Sequence, residues 1–271
     1  MKKILLYTTA CAAILMGMLS CEKAQPKNWP DTITTTEVGT FINVQVDSTQ
    51  AFWMGSNNGD ANEQPMHKVT LTKSFYIGQL EVTQAQWEAI MGSNPVQGID
   101  KGDSLPINNI SQTEAVNFAK KLSELTGRPF RLPNEAEWEF AAMGGKLGAY
   151  TADTYTYSGS ENAEEVAWFS QNSDDELHRG GLKQPNQLGI YDMSGNVAEW
   201  CNDKAANYTS SAKTNPVGKT GSGYAVRGGG CDSNADNIRV KARVAANQTV
   251  KTYNIGIRLL LEAPKDSELI Y

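Results

Sequence analysis

Apolar and polar positions alternate from Gly39 onward, and the alternation predicts strands. Thr40-Phe41-Ile42-Asn43-Val44-Gln45-Val46 has a period of two, and Phe52-Trp53-Met54 follows as a second short run. His67 to Leu71 and Phe75 to Ile77 make a further pair, with Thr72-Lys73-Ser74 at the turn. The period then lengthens to that of a helix, three times over. Thr83 with Gln86, Ser111 with Glu114, and Asn134 with Glu137 each set an N-cap oxygen three residues before a Glu or Gln. Gly92, Gly127 and Gly144-Gly145 mark the three stops. In the middle helix Ala115, Phe118, Ala119, Leu122 and Leu125 form one stripe, which reads as core.

After Gly145 the periodicity fades for some forty residues rich in Gly, Asn, Asp and Ser, interrupted by the apolar island Val166-Ala167-Trp168-Phe169. A structureless stretch of that length in a compact domain is usually functional or held by something extra, such as a metal. Strand patterns return at Tyr224 to Arg227, Ile238 to Arg243 and Gly256 to Leu261. No internal repeat and no linker divides residues 38–262, so one domain is expected there.

The ends read differently. Met1-Lys2-Lys3 followed by the apolar run Ile4 to Leu19 is a leader, too short and too N-terminal for an ordinary spanning helix. It closes in Met18-Leu19-Ser20-Cys21, which resembles the lipobox of bacterial lipoproteins, with Met18 standing where leucine is usual. Residues 1–20 are therefore expected to be a signal peptide, Cys21 the lipidated residue, and the location the bacterial cell envelope. Residues 21–37, polar with two prolines, read as a tether, and residues 263–271 as a C-terminal tail.

Charge and cysteines narrow the chemistry. The net charge is −6, and loss of Lys2 and Lys3 with the leader leaves 22 basic against 30 acidic residues. No Lys/Arg run occurs, which argues against a nucleic-acid partner. Four cysteines are present, and Cys11 leaves with the leader. Cys201 and Cys231 remain; in an oxidising compartment a disulfide between them and a pair of buried free thiols are both open.

The densest chemistry lies in Gly189-Ile190-Tyr191-Asp192-Met193-Ser194-Gly195-Asn196-Val197-Ala198-Glu199-Trp200. Gly195-Asn196 is a turn pair and Gly189 a weak helix residue, so a tight buried loop is expected, with carbonyls turned in beside two acids. Hard cations such as calcium take oxygen ligands of both kinds. The bland alternative is a metal-free loop in which Glu199 caps backbone amides.

Five collinear segments together resemble the sulfatase-modifying factor family, whose founding member is the formylglycine-generating enzyme. They are Glu81 to Trp87 (EVTQAQW), Arg131 to Glu139 (RLPNEAEWE), the twelve-residue motif above, Arg227-Gly228-Gly229, and Asn254 to Arg258. The resemblance implies an α+β domain of the C-type-lectin type with little regular secondary structure. It also implies a calcium site in which Asp192 and Glu199 supply side chains and Gly195 and Val197 supply carbonyls. A second calcium site would fall near Val166 to Glu176, where Asn172, Asp174 and Asp175 are the oxygen-rich candidates.

In the oxidase branch, two cysteines five apart soon after the RGG segment hold copper(I) and oxidise a substrate cysteine to formylglycine. This chain has Cys231 there, Asp236 five residues on, and no two cysteines five apart anywhere. Copper(I) requires soft thiolates, so a copper dithiolate is not expected. A second branch, which makes sulfur–carbon bonds in thiol-histidine synthesis, needs a histidine cluster, and the chain has only His67 and His178. Cys231 and Ser233, in the loop equivalent to the oxidases' groove, stay as catalytic candidates without a partner base. The expected role is a lipid-anchored binding or scaffold component with an envelope protein, peptide or glycan as partner. A formylglycine-generating oxidase, or another oxidation through Cys231, is the competing reading.

Overall fold

The computed structural model describes residues 30–151 and 154–263; the leader, Cys21 and the tail from residue 264 lie outside them. In chain order the elements are β1 (Thr32–Thr35), β2 (Gly39–Val44), β3 (Phe52–Met54), β4 (His67–Thr70) and β5 (Phe75–Gly78), then α1 (Gln84–Met91), α2 (Gln112–Thr126), β6 (Phe130–Arg131), α3 (Glu135–Ala142) and the one-turn α4 (Ala163–Val166). The second half contributes β7 (Ala198–Lys204), β8 (Lys213–Thr214), β9 (Tyr224–Arg227), β10 (Arg243–Ala246), β11 (Ile255–Gly256) and β12 (Leu260–Glu262).

They form three sheets. One runs β1-β2-β5-β12-β6, wholly antiparallel; a second runs β10-β9-β7-β11, with only the β7–β11 pair parallel; the third is the small β3-β4-β8. β12, near the chain's end, pairs with β5 (Leu260 opposite Ile77), so the two ends of the domain close one sheet. The central strands of both larger sheets are buried on both faces. Phe41, Tyr76, Trp200 and Val226 pack into one apolar cluster with α1 and α2, while Ile42, Ile77, Cys201 and Ala225 pack into another with α3. Strands covered on both faces read as near-continuous apolar runs, as Phe41-Ile42 and Tyr76-Ile77 do.

The helix expectations hold in detail. Thr83, Ser111 and Asn134 are N-caps with reciprocal capping boxes to Gln86, Glu114 and Glu137, and Gly92 and Gly127 close α1 and α2 in the left-handed conformation. Trp87 and Phe118 stack at 4.9 Å between α1 and α2. Leu125 departs from the stripe: it sits 67% exposed, because α2 leaves the core in its last turn.

Three other expectations are corrected. β1 lies inside the stretch read as tether and pairs with β2, Ile33 opposite Phe41, so the domain begins earlier than residue 38. Ile238 to Arg243 is not a strand. A 3-10 turn at Ala235–Ile238, N-capped by Asn234, bends the chain there, and β10 begins only at Arg243. Gly256 to Leu261 is broken between β11 and β12, which belong to different sheets.

Candidate functional site

The twelve-residue motif is a buried loop running into β7, and its backbone explains its sequence. Gly189, Asp192, Gly195 and Asn196 all have φ between 55° and 82°, the left-handed region that glycine, Asn and Asp enter most readily. At Gly195 a Cβ would collide with the Trp168 carbonyl oxygen, so only glycine fits. Asn196 ties four segments together. Its Nδ2 donates to Glu81 Oε2 (2.6 Å) and to the His178 carbonyl (3.1 Å), and its Oδ1 accepts from His178 N–H (3.0 Å). Its main chain donates to Trp168 O (2.8 Å) and accepts from Cys231 N–H (2.7 Å).

Three buried acids meet around this loop. Glu199 Oε2 accepts from Trp138 Nε1 at 2.6 Å, and both its oxygens accept from Arg258 Nε at 2.9 and 3.1 Å. Arg258 is fully buried and also donates to the Gly78 and Tyr191 carbonyls. Glu81 accepts from Val197 N–H at 3.1 Å. Asp192 Oδ2 accepts from Gly181 N–H at 2.7 Å, while its Oδ1 is buried without a hydrogen-bond partner among the described residues. Burial first, then the charges of Asp192 and Glu199, push the Glu81 carboxyl well above its ordinary range. Burial raises Asp192 as well, against the pull of the Gly181 amide and Arg258.

These residues fit a hard cation in part. Asp192 offers a buried oxygen without a partner among the described residues, while the two oxygens of Glu199 are already occupied by Trp138 Nε1 and by Nε and Nη2 of Arg258. Yet no three His, Cys, Asp or Glu side chains among the described residues converge as a ready-made metal cluster. Glu81, Asp192 and Glu199 feel one another's charge without their oxygens meeting at one point. A cation here would therefore depend on main-chain oxygens as much as on acids. Sequence reasoning missed Glu81, Asn196 and Arg258 as members of this centre, although all three lie in the quoted motif segments. The spacing carries no sign that segments up to 180 residues apart meet, as Arg258 and Gly78 do.

A second buried charge cluster flanks α3. Arg227 donates to Glu135 (3.0 Å) and Glu139 (2.6 Å), Arg243 grips Glu135 with two nitrogens, Lys241 reaches Glu139, and Arg239 clasps Glu63 with two nitrogens. Burial opposes the Glu139 charge, but Lys241 and Arg227 hold its carboxyl below the usual range.

Beside this cluster a groove of about 450 Å³ opens, lined by Asp60 to Asn62, Ala198, Val226, Gly228 to Gly230, Ser233, Asn237, Ala242 to Val244, Asn254 and Ile255. Ser233 Oγ accepts from Gly230 N–H at 3.0 Å and Ser233 N–H donates to Gly230 O, so the side chain clasps a turn. Cys231 is buried behind that turn, its thiol 3.7 Å from the Asp175 carbonyl. Burial, then Asp232 and Asp100, push the thiol's pKa up to about 12. A nucleophilic or metal-binding cysteine needs the opposite shift.

The remaining candidates scatter. Cys201 and Cys231 are both free and buried in separate apolar clusters, so the bridge does not form in this structure. Asn172 spends its amide on Phe169 N–H and Ala167 O, while Asp174 and Asp175 are exposed in a left-handed turn. His67 is buried against Tyr208, in keeping with a structural role. His178 stacks on Trp168 at 3.8 Å and is half-buried.

Comparison with known proteins agrees with this layout. Residues 23–263 match the sulfatase-modifying factor enzyme 1-like domain. The chain is 30% identical over 251 residues to the chaperone protein LppX of Paenibacillus barcinonensis, covering 74% of this chain and 81% of that one. It is 30% identical over 198 residues to the formylglycine-generating enzyme of Streptomyces coelicolor, covering 68% of this chain and 60% of the enzyme. An inactive Cα-formylglycine-generating enzyme 2 of Bos taurus is 27% identical over 51% of this chain and 46% of its own. Among solved structures, Treponema denticola variable protein 1 superposes with a TM-score of 0.75 at 27% identity, over 87% of this chain and all of that one. PvdO of Pseudomonas aeruginosa shares the fold, at a TM-score of 0.70 and 22% identity over 88% of this chain and all of its own. With the five motifs gathered on one C-type-lectin-like α+β domain, the chain belongs to the sulfatase-modifying factor enzyme 1-like family.

Proposed function

We propose that this chain is a non-oxidase member of the family, anchored through a lipid on Cys21 in the bacterial cell envelope, where its groove binds an envelope protein, peptide or glycan. The observation that carries the reading is the state of the groove's one thiol. Cys231 is buried, held protonated, and has no second cysteine within five residues. Copper(I) chemistry takes two soft thiolates, and here neither the pair nor the thiolate is on offer. Ser233 Oγ accepts from a backbone amide, and among the described residues no basic side chain hydrogen-bonds to it to activate it. The similarity to LppX and to an inactive relative supports the same reading. No helix among the described residues is long and apolar enough to cross a membrane.

A structural Ca²⁺ belongs to the proposal. Asp192 and Glu199 with the carbonyls of Gly195 and Val197 would hold it, and its charge would offset the acid excess around Glu81 and pin the irregular second half. The experiment for the functional reading is a copper(I) titration, followed by incubation of the loaded protein with a sulfatase-motif cysteine peptide under oxygen. No tight copper binding and no aldehyde are expected. Tight binding or aldehyde formation would replace this reading with the oxidase reading, which the Streptomyces similarity keeps in view.

A further inference from the structure

We propose that Asn58 is a site of spontaneous covalent modification: it deamidates through a succinimide to isoaspartate, and the altered turn reshapes one wall of the groove. The inference goes beyond the binding reading and stands whether or not the groove holds a partner.

Asn58 is the one asparagine of the chain that a glycine follows. A succinimide forms when the main-chain nitrogen of the next residue attacks the asparagine Cγ. A side chain on that next residue crowds the approach and restricts the backbone; glycine does neither. Asn58 is exposed, and among the described residues only its main-chain N–H is hydrogen-bonded, the side-chain amide being free. Its neighbours in the same turn are held. Asn57 Oδ1 accepts from Met66 N–H at 2.9 Å, and Asn62 Nδ2 donates to the Arg243 carbonyl at 2.5 Å. Both also precede residues with side chains, Asn58 and Glu63.

The attacking nitrogen is lightly held too. Gly59 N–H donates to Ser56 Oγ at 3.0 Å, an acceptor it shares with Asn58 N–H at 3.1 Å. Ser56 is half-buried and lies outside any strand or helix, so water replaces its hydroxyl without opening a regular element.

The step balances without oxidant, metal or enzyme. A bond forms between Gly59 N and Asn58 Cγ, the Cγ–Nδ2 bond breaks, and the Gly59 amide proton leaves with Nδ2 as ammonia. Water then opens the ring. Attack at Cγ gives aspartate; attack at the main-chain carbonyl carbon gives isoaspartate, with the chain rerouted through Cβ and Cγ.

The consequence comes from how the turn is closed. Ser56 N–H donates to the Glu63 carbonyl at 3.0 Å, and Glu63 is clasped by two nitrogens of Arg239. Isoaspartate adds one carbon to the main chain inside that closed loop. Gly59 cannot take up the slack inward, because a Cβ there would already collide with Glu63 Oε2. The added length therefore emerges in Asp60 to Asn62, which line the groove, with a new carboxylate beside them.

The test is incubation of the purified full chain in warm, mildly alkaline buffer. Fragmentation mass spectrometry of the tryptic peptide ending at Lys68 locates each conversion of amide to acid, and isoaspartyl methyltransferase labelling counts isoaspartate. Conversion is expected at Asn58 and not at Asn57 or Asn62, at a rate within about tenfold of a free peptide of residues 56–60. Asn58→Gln, which needs a six-membered ring, is expected to lower the label about tenfold. Equal conversion at Asn57, an unchanged label in Asn58→Gln, or a rate further than about tenfold below the peptide's would overturn the proposal. Hydrogen exchange then reads the groove wall. The isoaspartate form, separated chromatographically, is expected to exchange its Ser56 and Glu63 amides about fivefold faster than fresh protein. Asn58→Asp, which has the charge without the longer chain, is expected to match fresh protein. Equal exchange in all three would overturn the claim about the groove wall. Copper titration is blind to this turn, so neither experiment decides the other.

Discussion

Two buried charge clusters, built from the same residue types, differ in one respect that organises the molecule. Around α3, Glu63, Glu135 and Glu139 meet Arg227, Arg239, Lys241 and Arg243, and each of these three acids is matched. Around the motif loop, Glu81, Asp192 and Glu199 meet one guanidinium, Arg258. Desolvating a carboxylate costs several kcal/mol unless a partner offsets it. The matched cluster offsets that cost within the chain. The unmatched one leaves Glu81 and Asp192 proton-hungry and Asp192 Oδ1 without a partner, which is where a bound cation would act.

The largest expected effects come from removing the one guanidinium on each side. Arg258→Met and Arg227→Met should each cost about 3–5 kcal/mol in urea denaturation, because each strands buried acid. The comparison predicts that calcium recovers part of the loss for Arg258→Met and none for Arg227→Met. Equal recovery in both would erase the distinction between the clusters.

Gly195→Ala comes next. It forces a Cβ into the Trp168 carbonyl at φ of 82°, and a loss above about 2 kcal/mol is expected from the same measurement. A mild effect would mean that the motif loop can shift, and with it the acids it positions.

The pH dependence separates a third acid from the motif cluster. Asp203, which accepts from Glu135 N–H and Gly218 N–H, is pushed up to about 7 by burial. A carboxyl raised in the folded state favours folding while protonated, so its contribution is full below the ordinary carboxylate range and is lost as pH rises through about 7. Glu81 and Asp192 carry the same sign. Metal-free protein should thus lose stability between pH 4 and pH 8, read as a falling urea midpoint. Asp203→Asn should remove one part of that slope with or without calcium, and calcium should flatten the remainder. The smallest effect is expected for Ser233→Ala, about 0.5–1.5 kcal/mol for a lost turn hydrogen bond, with no change in chemistry.

Much of this fold was legible in the chain because its signals are local. The three capping boxes predicted α1, α2 and α3 to within a residue, since cap and stop lie within one helix of each other. The motif loop was legible for the same reason: Gly195-Asn196 must turn wherever it sits. What stayed hidden was non-local. β1 looked like tether because Thr32 to Thr35 have little apolar pattern of their own and become a strand by pairing with β2. Ile238 to Arg243 alternates well enough for a strand, but Asn234 starts a 3-10 turn that overrides it. Arg227, Arg243 and Arg258 read as strand charges, and only the folded chain shows them reaching Glu135, Glu139 and Glu199 from 59 to 108 residues away. The thiol pair was undecided from spacing, and the fold parted it by placing Cys201 and Cys231 in different clusters.

The most direct test of the contrast between the two clusters is the melting temperature with calcium and with chelator, for wild type and Asp192→Ala. Calcium is expected to raise the wild-type melt by several degrees, as a ligand bound only by the folded state does, and to leave Asp192→Ala unmoved. An identical wild-type melt in calcium and chelator would contradict the account, and the motif loop would then be a metal-free, hydrogen-bonded turn.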